Sequence, residues 1–150
     1  NLKQYQDMDR LNKSLYAIAT EMADGVLQLK SAQKQLDIIR DLKPSEQILV
    51  KADDLEGVTN LWISKIIQEG FRTSQNLYQM EAKFLMEVRS LINRMGGSDV
   101  PVSQGAREVA QRYLNEWDQL KTELNNIKNN DIKNFNTEMS AAKLPEIFIK

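Results

Sequence analysis

The chain has 150 residues, with 20 basic and 21 acidic side chains, and it contains no histidine and no cysteine. A net charge of −1 lacks the accumulated positive charge with which proteins bind nucleic acids, so no nucleic-acid partner is predicted. Without imidazole and thiol groups there is no Ser-His-Asp triad, no thiolate nucleophile and no zinc site built on cysteine or histidine. We therefore predict a domain that is not an enzyme and that holds no cofactor or metal.

Length and hydropathy favour one folded domain over residues 1–150. The sequence is 41% hydrophobic and 27% charged, as in ordinary globular proteins, and its length suffices for one core. Its uninterrupted apolar runs are far shorter than the roughly 18 residues of a membrane span, so no such span is predicted. The chain begins with asparagine and has no basic and apolar leader, which indicates either a mature product or a segment excised from a larger protein.

A seven-residue apolar repeat, here called the seam, runs through residues 1–42 and predicts one long helix. Its two positions are occupied by Met8, Leu15, Met22, Leu29 and Leu36, and by Leu11, Ile18, Gly25, Ala32 and Ile39. Such a seam packs against other helices at shallow angles, and the small Gly25 allows either a close approach or a bend. The repeat does not distinguish packing within the chain from a coiled-coil homodimer, so both stay open. Because this helix is longer than any single partner, either two later helices cover it or its free end contacts another molecule.

Proline, glycine and capping residues divide the middle of the chain. Pro44 ends the first helix, and Ser45 is placed to cap a second helix that begins at about residue 46 and ends near the glycine at 70. The polar residues 71–76 predict a connection, and the apolar spacing that follows predicts a third helix over 77–95. These elements carry no strand pattern.

The last third of the chain predicts another helix and a short appendage. Residues 96–101 are rich in turn formers, and Ser103 is placed to cap a fourth helix that runs to about Ile127. Several asparagines then weaken helix propensity and mark its end, before a short fifth helix over 131–142 and an apolar tail. The predicted fold class is all-α, an up-and-down antiparallel helical bundle of about four main helices with a short C-terminal helix and tail.

Two local patterns resemble chemical motifs without completing them. Ser31 and Lys34 match the S-x-x-K pattern of penicillin-recognising enzymes, but the partner S-D-N and K-T-G motifs are absent. Asp53, Asp54 and Glu56 form an acidic cluster that lacks the alternating ligands and the glycine of an EF-hand loop. Both patterns are better explained by solvated helix faces. Paired carboxylates for glycoside hydrolysis stay open, because the distance between them is not readable from sequence.

Four large aromatic residues fall at helical spacing beside apolar residues. We expect Tyr16, Trp62, Tyr113 and Trp117 to pack in the core with their polar edges near the surface. The alternative is a pocket between helices in which these rings stack on a ligand.

The C-terminal segment 131–145, with its Phe-Asn pair and Leu-Pro close, resembles the end of large bacterial proteins that carry a sortilin/VPS10-like, BNR-repeat β-propeller. Those proteins are often described as glycosyl-hydrolase-like. Residues 12–16, 76–78, 100–101 and 104–105 are similar to other parts of the helical module that follows the propeller and a β-sandwich in that family. The resemblance thus touches the whole chain.

The resemblance implies a non-catalytic structural or interaction module in a periplasmic or secreted protein. Such a module would pack against neighbouring domains of its parent chain or against a protein partner. Any hydrolytic or carbohydrate-binding site would be expected on the propeller, so no catalytic residue is assigned here.

The apolar tail supplies the candidate contact residues, namely Leu144, Pro145, Ile147, Phe148 and Ile149. An apolar terminus is expected to be buried against another surface. The alternative is that the tail folds back onto its own bundle.

Overall fold

The computed structural model describes residues 2–68, 83–96 and 102–150. The predicted connection 71–76, the predicted start of the third helix and most of the predicted loop 96–101 lie outside these residues. Helices make up 86% of the described chain and no strand occurs in it, which confirms the all-α helical bundle. None of the described helices has an apolar stretch that could cross a membrane.

Five α-helices and one π-helical turn account for this content. Their bounds are α1 Leu2–Asp41, α2 Glu46–Ile66, α3 Phe84–Gly96, α4 Gln104–Asn126, the π segment Ile127–Ile132 and α5 Lys133–Ala141. The predicted caps are present, because Ser45 Oγ accepts from Ile48 N at 3.4 Å and Ser103 Oγ accepts from Ala106 N at 3.1 Å.

The chain forms two compact units. One contains the described residues of Asn1–Ala23 and Lys65–Leu120, and the other contains Asp24–Ser64 and Lys121–Lys150. We call them unit 1 and unit 2. Helix α1 contributes to both, and its seam is buried by the chain itself from Leu15 to Ile39, whereas Met8 and Leu11 are half-buried.

Unit 1 joins the first part of α1 to α4. Trp117 Nε1 donates a 2.6 Å hydrogen bond to Glu21 Oε2, and Arg107 lies 3.9 Å from Asp7. From the Asp7–Arg107 contact to the Glu21–Trp117 contact the residue numbers rise in both helices, so α1 and α4 run in the same direction within unit 1. The buried ring of Trp117 therefore packs with its polar edge bonded at the rim, as predicted.

Helix α3 places its apolar face in the core of unit 1. Phe84, Val88, Leu91 and Met95 are buried, as the apolar spacing of this segment predicts for one face of a helix. The ring of Phe84 meets the ring of Tyr113 edge to face, with 5.6 Å between centroids and 76° between planes. Such aromatic pairs contribute about 0.5–1.5 kcal/mol beyond the burial of their area.

In unit 2, α1 and α2 are antiparallel. Gln33 donates to Thr59 Oγ1 at 2.9 Å, and further along α1 the Arg40 guanidinium binds Asp53 at 2.8 Å and Glu56 at 2.7 Å. Thr59 is the one polar side chain in the buried core of the described chain, and its hydroxyl is fully bonded because it also donates to the backbone.

Gly25 marks the closest helix approach in unit 2. A Cβ built at Gly25 would lie 2.9 Å from both Leu124 Cδ2 and Trp62 Cη2, so only glycine allows α2 and α4 to approach α1 this closely. The predicted close approach is confirmed. One turn further along α1, Gln28 Oε1 accepts a hydrogen bond from Lys128 at 3.2 Å. Residue numbers thus rise together from the Gly25–Leu124 contact to the Gln28–Lys128 contact, so α1 runs in the same direction as the end of α4 and the π segment.

The predicted helix end at the asparagines is wrong. The backbone passes from Asn126 through the π segment into Lys133 with helical dihedral angles at both junctions, so residues 104–141 form one continuous rod. Burial of Ile127 and Ile132 explains why. In an α-helix, Ile132 would lie about 140° around the helix axis from Ile127, so a regular helix that buries Ile127 would expose Ile132. In a π turn the hydrogen bonds join residues five apart, which brings the two isoleucines closer to the same side.

Tyr16 departs from its predicted place in the core. Its side chain is 63% exposed, because it lies on the face of α1 opposite the seam. Trp62, Tyr113 and Trp117 are buried as predicted.

Candidate functional site

The end of α5 fixes where the tail begins. Lys143 adopts a left-handed conformation with φ 58°, its N–H bonds Ser140 O at 3.1 Å, and Leu144 N bonds Met139 O at 2.9 Å. These two bonds form a Schellman motif, in which the residue after the cap reverses the chain direction. Glycine usually occupies such a position, so no sequence pattern predicts the left-handed conformation at Lys143.

Side-chain amides from two helices then clasp the tail backbone. Asn136 on α5 accepts from Ile147 N at 2.7 Å and donates to Ile147 O at 2.8 Å. Gln35 on α1 repeats the arrangement with the next residue, accepting from Phe148 N and donating to Phe148 O, both at 2.7 Å. In extended backbone, successive residues point their N–H and C=O groups to opposite sides, which is how two helices hold neighbouring residues.

The last bond of the clasp joins the tail end to α1. Gln28 Nε2 donates to Lys150 O at 3.0 Å, while Gln28 Oε1 accepts from Lys128. One glutamine therefore connects α1, the π segment and the tail. We call Gln28, Gln35 and Asn136 the clasp.

The predicted contact residues of the tail differ in how far they are exposed. Ile147 is buried, at 4% exposure, whereas Phe148 is 71% exposed. Leu144 and Ile149 are half-buried, and Pro145 is exposed. From Ile147 to Lys150 the order of burial follows the two-residue period of extended backbone, so the tail folds back onto unit 2 through Ile147 and displays Phe148 outward.

Two more apolar residues are exposed on α1 close to the clasp. Leu27 is 66% exposed and Ile38 is 60% exposed, and their spacing of eleven residues places them on one side of the helix. Ile38 lies three residues after Gln35 and so is its neighbour on the helix surface.

A polar depression of about 1000 Å³ opens between the tail and the rod at the π segment. Its lining combines ammonium groups, amides, hydroxyls and one carboxylate, and consists of Gln28, Lys128, Asn129, Ile132, Lys133, Asn136, Thr137, Ser140, Glu146, Ile147, Ile149 and Lys150. Three lysines thus face a single glutamate. We call this feature the basic depression.

The two acidic residues of the π segment and α5 line a different depression. Asp131 and Glu138 line this second depression of about 220 Å³, where Lys51 of α2 forms an ion pair with Glu138. The charged side chains of residues 127–141 are therefore divided between two depressions. Among the residues that the structure describes, no group of three or more acidic side chains is arranged to hold a metal ion.

The acidic cluster predicted on α2 is organised by Arg40. The guanidinium binds Asp37 at 2.9 Å as well as Asp53 and Glu56, while Asp54 lines the second depression instead. Burial lowers the pKa of Arg40, but the hydrogen bonds to Asp53 and Glu56 outweigh it, so the pKa is raised above its ordinary value. Two of the three predicted carboxylates thus join α1 to α2.

Comparison with models of known protein families, with curated proteins and with solved structures found no match to this chain.

Proposed function

We propose that this chain is a non-catalytic helical module that packs against other protein surfaces. Its proposed setting is the one that the sequence resemblance implies, the C-terminal end of a periplasmic or secreted bacterial propeller protein. The module would contact neighbouring domains of that protein or a separate partner.

The observation that carries the proposal is the display of Phe148. An exposed phenylalanine on a loose terminus would move freely, but here the backbone on either side is bonded to the clasp. A solvent-facing aromatic ring on a held backbone is typical of an interface anchor, because little backbone conformational entropy is lost when a partner covers it. Leu27 and Ile38 add exposed apolar surface on the neighbouring helix.

The seam of α1 does not favour the alternative of a coiled-coil homodimer. A dimer through this seam would have to displace the chain's own helices from the seam residues between Leu15 and Ile39, which are already buried. We expect light scattering across a concentration series to give a constant monomer mass. A mass that doubles with concentration would favour the dimer instead.

Site-specific photocrosslinking tests the proposal directly. The coding region upstream of Asn1 is read first, and repeated propeller blades with Asp-box motifs are expected there. A photoreactive phenylalanine analogue is then placed at Phe148 in the protein as the cell makes it, and at Leu61 as a control of similar exposure on α2. Crosslinks from position 148 to another domain or protein, in excess of those from 61, are expected; equal yields from both positions would contradict the proposal.

A further inference from the structure

We infer that the basic depression binds a small polar ligand through an oxyanion such as a phosphate group. The inference does not depend on the proposed interaction role, because Phe148 is not among the residues that line the depression.

The charge balance around the depression carries the first step. Lys128 and Lys133 of the rod and Lys150 of the tail all line it, and Glu146 is the one carboxylate side chain among the lining residues. Asp131 and Glu138 belong to the same turns of the rod but line the second depression. A concave surface with an excess of ammonium groups concentrates anions.

The π segment carries the second step. Lys128 and Lys133 are five residues apart, so a continuous α-helix would turn one about 140° away from the other. The π turn between them brings both to the same depression. π turns of this kind are rare and recur at functional sites.

The remaining lining groups suit an oxyanion with a polar body. Lys128 uses one of its three N–H donors on Gln28, which orients the ammonium group and leaves two donors for a ligand. Asn129 and Ser140 add an amide and a hydroxyl. A depression of about 1000 Å³ exceeds the needs of a lone phosphate and falls in the range of sites for small organic ligands.

Binding there would also hold the tail. Lys150 and Ile149 come from the tail, whereas Lys128 and Lys133 come from the rod, so one anion that contacts both sides joins them. We expect ligand to slow amide hydrogen exchange at Ile147, whose N–H is bonded to the clasp.

An NMR titration at constant ionic strength tests the inference. Inorganic phosphate and glucose 6-phosphate are the probes, and glucose is the uncharged control. Saturable shifts are expected with both anions, confined to Gln28 and to residues 128–140 and 146–150, and none with glucose. The substitutions K128Q and K133Q should each weaken binding about three- to tenfold, whereas K34Q, at an exposed lysine on α1 outside the depression, should leave it unchanged.

Folding of the variants is checked by circular dichroism, so that loss of binding is not confused with loss of structure. A chain extended by two glycines past Lys150 keeps the terminal carboxylate away from the depression and should bind as well or better. Shifts that remain linear with phosphate, or that change equally in K34Q and K133Q, would overturn the inference.

Discussion

The substitution Gly25→Ala examines the closest contact in unit 2. The added methyl carbon would lie 2.9 Å from Leu124 Cδ2, 2.9 Å from Trp62 Cη2 and 3.4 Å from Trp62 Cζ3. Carbon atoms in contact normally lie about 3.5–4.0 Å apart, so two neighbours must move by roughly half an ångström. Leu124 can rotate its terminal methyl group, but the Trp62 ring is rigid and only 1% exposed. The strain therefore falls on the packing of the ring.

Two opposing terms set the expected change in the free energy of unfolding. Overpacking a closely packed core costs about 1–3 kcal/mol. Replacing glycine by alanine inside a helix returns about 1 kcal/mol. The net destabilisation for Gly25→Ala is therefore about 0–2 kcal/mol.

Gly57→Ala provides the matched control. Gly57 also lies inside a helix, but a Cβ there would meet nothing within 4 Å. This variant should be stabilised by about 1 kcal/mol, since the helix-propensity term acts without a clash. The difference between the two variants removes that shared term and leaves the overpacking cost, about 1–3 kcal/mol.

Urea unfolding followed by circular dichroism measures both variants against the original chain. A lower midpoint for Gly25→Ala and a higher one for Gly57→Ala, with similar m-values, are expected. In a double-mutant cycle, Leu124→Ala removes one of the two close contacts, so Gly25→Ala should cost less in that background. If Gly25→Ala stabilises the chain as much as Gly57→Ala does, the close approach is not real and the reasoning fails.

Three further predictions follow from the caps, the ion pairs and the clasp. Arg40→Gln should destabilise the chain by about 1–2 kcal/mol, because three carboxylates lose their shared cation, with Arg40→Lys recovering part of the loss in urea titrations. Because the pKa of Arg40 is raised, its contribution to stability is intact below the pKa of the unfolded state and is lost only at higher, strongly alkaline pH. The stability difference between Arg40→Gln and the original chain should therefore be constant between about pH 6 and 9. Asn136→Ala should speed hydrogen exchange at Ile147 at least tenfold, because two hydrogen bonds of about 1 kcal/mol each are lost, whereas an unchanged rate would contradict the clasp. Lys143→Gly should raise the free energy of unfolding by up to about 1 kcal/mol, since φ 58° suits glycine, and a loss of stability would count against the Schellman motif.

The parts of the fold that the sequence predicts are those with local signals. Ser45 and Ser103 stand at helix starts because their hydroxyl groups accept bonds from the first backbone N–H groups. The seven-residue repeat identifies the buried side of α1, and a glycine on that repeat indicates where another helix comes close. Each of these signals lies within a few residues of the feature that it predicts.

The asparagines after Asn126 show where local propensity misleads. Asparagine weakens a helix by roughly 0.7 kcal/mol per residue, which predicts an end. Burying Ile132 and Phe135 on the same side as Ile127 favours continuation by more than that, at about 1.5–3 kcal/mol per side chain. The preference for continuation depends on tertiary contacts, which no local pattern contains.

The clasp could not be predicted for a different reason. Glutamine and asparagine are common on exposed helix faces, so Gln35 and Asn136 have nothing unusual in sequence. Their role depends on the tail that they bind. For Gln35, this tail lies more than a hundred residues later in the chain. The apolar alternation of the tail was visible, but not which helices would hold it.

The π segment connects the core of unit 2 to its candidate sites. It advances the rod by one extra residue between Ile127 and Ile132, which keeps the apolar side of the rod buried on both sides of the turn. The same shift aligns Lys128 with Lys133 and leaves Asp131 on the other face. In a regular α-helix through these residues, Ile132 would not be buried on the same side as Ile127, and Lys128 and Lys133 would lie on different sides, because the members of each pair are five residues apart. Packing and charge separation thus have a single structural cause, and deleting Asn130 from the turn should preserve both, because each pair would then be four residues apart in a regular α-helix.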